Sequence, residues 1–145
     1  MNNMIKTKKF DDLYELKCNP RYVIMLEKLV YAFANDKSNN KYNGGFWDSV
    51  LFSKDDISFW YFLLNTKEEF TFTNENKNKD ELVSAKCFSL LCFTFAINYM
   101  ISYAYNDRSS KELVSELTYL YRTTTSNVNL ILDENEVEIF YSIID

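Results

Sequence analysis

The side chains that usually do chemistry near neutral pH are scarce in this chain. None of its 145 residues is a histidine. That removes the usual general base, the commonest metal ligand and any Ser-His or Cys-His couple. The cysteines are Cys18, Cys87 and Cys92. They form no Cys-x-x-Cys pair and lack zinc-site spacing. Cys87 and Cys92 lie in an apolar run, where a thiol behaves as a small hydrophobe. No glycine-rich dinucleotide loop, Walker sequence or calcium loop is present. Carboxylates are plentiful, as in Asp55-Asp56 and Glu68-Glu69. A suitable pair could hydrolyse a glycoside or hold magnesium, but no spacing singles one out. The sequence therefore predicts a protein that is not an enzyme, with no catalytic residues, metal or cofactor.

Net charge is −5 with a pI near 4.8. Phosphate contacts need Lys and Arg, so direct nucleic-acid binding is not expected. The aromatic residues lack the basic companions of a stacking platform. What remains is a compact acidic protein that acts through its surface. Two side chains stand out for that role. Trp47 reads either as a core anchor or as a binding hot spot. Asp145 places two carboxylates at a helix C-terminus, where the dipole disfavours negative charge. A cationic group from elsewhere in the fold or from a partner would relieve it.

These residues need elements to position them. The chain is 47% hydrophobic and 17% aromatic, which excludes a disordered class. Two glycines and one proline are too few for a turn-rich sandwich. The pattern predicts an α+β fold: a small antiparallel three-stranded meander packed with about four helices. Residues 1–18 read as a loosely ordered segment and residues 19–145 as one domain. Asn19-Pro20 opens a first helix carrying Tyr22, Leu26, Leu29, Val30 and Phe33 on one face. Tyr42-Asn43-Gly44-Gly45-Phe46-Trp47 is a sharp turn into strands, because paired glycines permit positive φ. Strands are predicted at 46–52, 57–64 and 69–73, joined by turns at 53–56 and 65–67. The aromatic stripe Phe46, Trp47, Phe59, Trp60 and Phe62 is expected in the core.

A polar loop, 74–79, leads to Asp80 as cap of a long buried helix over about 82–105. Cys87 to Tyr105 carries no charge and matches a bilayer in length. Yet Lys86, Ser89, Thr94, Asn98 and Ser102 form a polar stripe, which suits a buried helix with one wetter edge better than a span. No membrane partner is expected. Ser109 with Glu112 predicts a capping box for the next helix, which frays at Thr123-Thr124-Thr125. Asp133 with Glu136 predicts another before the terminal helix. The unpaired cysteines and a polar N-terminus without an apolar signal region point to a reducing cytoplasm.

Three segments resemble the ArdB/KlcA antirestriction family. They are the helix Arg21 to Ala34, the turn Tyr42-Asn43-Gly44-Gly45-Phe46-Trp47, and the ending Glu138-Ile139-Phe140-Tyr141-Ser142-Ile143-Ile144-Asp145. Glu27 is similar to the family's helix glutamate, which makes it a third candidate for partner contact beside Trp47 and Asp145; otherwise it is a solvated helix charge. The chain departs from the family pattern at Ser53-Lys54-Asp55-Asp56, where a second Gly-Gly turn is usual, and at Lys86-Cys87-Phe88 after Ser84-Ala85. The resemblance implies a mobile-element protein, from plasmid or phage, that relieves type I restriction in the bacterial cytoplasm by contact with the type I restriction-modification complex. Two alternatives stay open: an inhibitor of another defence system such as CRISPR, and a mobile-element interaction protein unrelated to restriction.

Overall fold

The computed structural model describes residues 4–8, 20–39, 41–106 and 111–145. Strands β1 (Met4–Lys8), β2 (Trp47–Lys54) and β3 (Ile57–Leu64) form an antiparallel sheet in that order. β4 (Glu69–Asn74) and β5 (Lys79–Ser84) form a separate hairpin. The helices are α1 (Pro20–Lys37), α2 (Ala85–Asn106), α3 (Lys111–Ser126) and α4 (Glu134–Ile144), with a 3-10 turn at Val128–Leu130. The fold is α+β, with α2 at its centre.

β2 and β3 are joined by a two-residue turn, with Lys54 opposite Ile57 and Trp47 opposite Leu64. Asp55 takes φ 54, a left-handed conformation that Asp tolerates better than most side chains. The alternation then sorts the aromatics. Trp60 and Phe62 turn toward α2, with ring centroids 5.3 and 5.9 Å from Phe93. Val50, Phe52, Phe59 and Tyr61 occupy the other face and are buried as well. On a different side of α2, Phe70 stacks on Phe88 at 4.7 Å, and Phe72 and Phe33 meet Phe95 at 5.6 and 5.7 Å. Each fully buried ring contributes about 1.5–3 kcal/mol of transfer free energy. Aromatic packing around α2 therefore dominates the core.

α2 is long and apolar enough to cross a membrane by length and composition, but most of it is buried inside the fold. Its polar stripe is not uniformly wet. Lys86, Asn98 and Ser102 are exposed, whereas Ser89 and Thr94 are buried. Their hydroxyls donate to the Ala85 and Leu90 carbonyls at 2.6 and 2.7 Å. Ser89 Oγ also accepts the Leu64 N–H at 2.9 Å, satisfying a sheet-edge donor.

Several expectations need correction. The three-stranded sheet takes Met4–Lys8, from the segment read as loosely ordered, as its third strand, with Met4 opposite Ser53 and Lys8 opposite Ser49. Glu69–Asn74 pairs with Lys79–Ser84 instead of with β3. The predicted 74–79 loop is shorter, its turn spanning 75–78. Asp80 lies within β5 and caps nothing; its carboxylate accepts from Asn39 and Thr73. The cap of α2 is Ser84, whose Oγ accepts the Cys87 N–H at 3.2 Å. α3 does not fray at Thr123 but runs on to Ser126, with the Thr123 and Thr125 hydroxyls donating to the carbonyls of Tyr119 and Tyr121 one turn back. The Asn19 cap and the Ser109 half of the capping box lie outside the described residues.

Candidate functional site

The Tyr42–Trp47 turn holds its conformation through two glycines and three hydrogen bonds. Gly44 has φ +84, a value that L side chains rarely adopt. Gly45 has φ +152, and a Cβ there would sit 2.7 Å from Leu64 Cδ1. The glycine thus lets the turn lie against the end of β3. The Asn65 N–H donates to the Phe46 carbonyl at 2.8 Å, and the Tyr42 N–H donates to the buried Ser38 Oγ at 3.0 Å. The Trp47 indole N–H donates to the Tyr42 hydroxyl at 2.6 Å, fixing both rings.

The fixed rings meet α1. Trp47 packs between Tyr31, 5.8 Å away, and Tyr42, 6.0 Å away, and Tyr42 reaches Phe88 of α2 at 6.5 Å. Tyr31 follows Glu27 by one helical turn, so the two share a face. Its pKa is pushed up to about 12, first by burial and then by the Glu27 carboxylate one helical turn back. Two residues singled out in the sequence, Glu27 and Trp47, are therefore joined through Tyr31. Ile24, 43% exposed, continues the α1 stripe, and Phe46 stands 71% exposed beside Trp47. Phe46 was expected in the core. It is the last residue before β2, where the backbone carbonyl pairs with Asn65 and the ring points away from α2's packing. Tyr31 went unnoticed in the sequence; its spacing from Glu27 was the signal available.

Asp145 does not join this patch. It is exposed at the end of α4, and its N–H bonds the Tyr141 carbonyl at 3.0 Å. No hydrogen bond, ion pair or ring contact links it to Glu27 or Trp47, and among the described residues no Lys or Arg pairs with it. The end of α4 is served by the Asn76 side-chain amide, which donates to the Ser142 and Ile143 carbonyls at 2.9 and 3.1 Å.

A different carboxylate has a structural task. Asp133 caps α4 by accepting the Glu136 N–H at 2.8 Å, as its spacing predicted. Glu136 does not complete a local capping box. Its carboxylate accepts both the N–H and the hydroxyl of Ser84, each at 2.8 Å, and so holds the start of α2. A cleft of about 550 Å³ beside this junction is bordered by Lys67 and Lys86.

Reactive groups are few. Cys87 and Cys92 are free and buried, and burial pushes both thiols well above their ordinary range, which suppresses the thiolate a nucleophile requires. No three His, Cys, Asp or Glu side chains among the described residues converge as a metal site.

No protein-family model matches the chain, and no curated protein matches it. Among solved structures, it superposes on one described in the words "The structure of the KlcA and ArdB proteins show a novel fold and antirestriction activity against Type I DNA restriction systems in vivo but not in vitro". The TM-score is 0.74, the identity 15%, and the match covers 100% of this chain and 96% of that one. The fold is thus that of the KlcA and ArdB proteins.

Proposed function

We propose that the protein is an antirestriction factor of a mobile element, acting in the bacterial cytoplasm to relieve type I restriction of incoming DNA by non-catalytic contact with a defence protein. The observation that carries this reading is the superposition on the KlcA and ArdB structure over the whole chain at TM-score 0.74. The absence of histidine supports non-catalytic action, and the net charge of −5 supports a protein partner over DNA. The contact surface in this reading is Glu27, Tyr31, Phe46 and Trp47, a half-exposed aromatic patch with its geometry fixed by the Gly44-Gly45 turn. Preorganised aromatic side chains are the commonest anchors of protein interfaces.

Activity described in vivo but not in vitro for the structural neighbour fits an action that needs a further cellular component. The test therefore belongs in cells. Unmodified phage is plated on a type I restricting strain and on its restriction-deficient parent, with and without the protein. The proposal predicts that plating efficiency on the restricting strain rises toward that of the parent. Unchanged restriction at confirmed expression contradicts it.

A further inference from the structure

We infer that Glu27, Tyr31 and Trp47 together receive an arginine side chain of the partner. This rests on the reading of the patch as the partner-binding surface and names the chemistry it selects. Glu27 is partly exposed, stands one helical turn from Tyr31 and carries no ion pair among the described residues. A carboxylate offers two oxygens, and so several lone pairs, to incoming donors. Tyr31 shares the helix face of Glu27, and the partly exposed Trp47 ring packs on Tyr31 with centroids 5.8 Å apart and planes inclined at 49°. Their electron-rich faces attract cations, Trp most strongly. A group that both stacks on these rings and donates to Glu27 must be planar, cationic and rich in N–H donors. A guanidinium meets all three conditions, whereas an ammonium is a compact, strongly hydrated charge that does not stack. Ile24 and Phe46, exposed on the flanks, would pack along apolar neighbours of that arginine.

The probe is N-acetyl-arginine amide, titrated into the full-length, isotopically labelled protein, with the neutral isostere N-acetyl-citrulline amide as control. The chain has two tryptophans, so the buried Trp60 indole serves as internal reference for Trp47. The inference predicts that the Trp47 indole resonance shifts and saturates at millimolar arginine probe, with citrulline binding about fivefold weaker. Glu27→Gln, which preserves the side chain's shape, should weaken arginine binding to the citrulline level while the rest of the spectrum stays unchanged. Equal responses to the two probes, shifts confined to other sites, or indifference to Glu27→Gln overturn it. The plating assay keeps the two readings apart. Restriction relief without an arginine response removes the inference and leaves the function. An arginine response without relief removes the function.

Discussion

Replacing Glu136 by Ala should destabilise the fold out of proportion to the residue's place at the surface end of α4. Its carboxylate receives two bonds of 2.8 Å, from the Ser84 N–H and the Ser84 hydroxyl. Ser84 in turn accepts the Cys87 N–H, so Glu136 orients the cap of the helix around which everything packs. Hydrogen bonds to charged groups contribute about 1.5–3 kcal/mol each, and a carboxylate near a helix N-terminus adds a few tenths more. The site is only partly buried, so water recovers some of that loss, and a net cost of about 2–3 kcal/mol follows. At about 2–4 °C per kcal/mol for a domain near this size, the midpoint of thermal unfolding should fall by about 4–12 °C. Glu134→Ala, two residues away and exposed, is the control and should change stability by less than about 0.5 kcal/mol. A double-mutant cycle with Ser84→Ala should give a coupling of about 1–2 kcal/mol. Urea and thermal unfolding measure the four variants and the wild type. A Glu136→Ala loss no greater than that of Glu134→Ala, or zero coupling to Ser84, refutes the account of how α2 is held.

Gly45→Ala should cost about 2–4 kcal/mol in urea unfolding, because φ +152 strains any L residue and its Cβ would also meet Leu64 Cδ1 at 2.7 Å, with Leu64 itself 2% exposed. Gly44→Ala meets nothing within 4 Å and should cost only the φ +84 strain, about 1 kcal/mol, so equal losses at the two positions contradict the close-approach argument. Tyr31 and Tyr61 both have pKa values pushed up to about 12, Tyr61 by burial alone. Unfolded tyrosines titrate near about 10, so their contribution to stability is complete below that pH and is lost as pH rises through about 12. Tyrosinate absorbance against pH should show these two residues ionising last, and Glu27→Gln should lower the Tyr31 value without restoring it fully, since burial is the larger cause. A Tyr31 value unmoved by Glu27→Gln denies the influence of the Glu27 charge on it.

Much of this architecture follows from local pattern. The proline that opens α1, the paired glycines, the aromatic runs at 46–52 and 57–64, and the uncharged stretch ending at Tyr105 each announce their element. What local pattern conceals is pairing. β5 reads Lys-Asp-Glu-Leu-Val-Ser, and its alternation is inverted at one step: Glu81 points inward at 8% exposure while Leu82 points outward at 61%. Glu81 tolerates that place because Asn74 donates to it at 3.2 Å and Lys79 lies 3.4 Å away. A hydrophobic-periodicity argument cannot see such a strand, so Asp80 looked like a helix cap and β4 was assigned to the wrong neighbour. β1 is hidden for a similar reason, since two of its five residues are lysine. Glu136 shows the same limit at a helix start: spacing identified Asp133 as the cap but could not reveal that the Glu136 carboxylate reaches Ser84, 52 residues earlier in the chain. The patch was half legible. Trp47 and Glu27 stood out singly; that Tyr31 joins them depends on the angle at which the Gly44-Gly45 turn meets α1.

The central claim is that this patch, and not another part of the surface, carries the anti-defence activity. Plating efficiency of unmodified phage on a type I restricting strain tests it when wild type is compared with Phe46→Ala and Tyr119→Ala at matched protein levels. Both side chains are about equally exposed, at 71% and 70%, so neither truncation opens the core. Loss of a hot-spot aromatic weakens an interface by about 2 kcal/mol or more. The account predicts that Tyr119→Ala relieves restriction as wild type does and that Phe46→Ala loses most of the relief. Full relief by Phe46→Ala contradicts it.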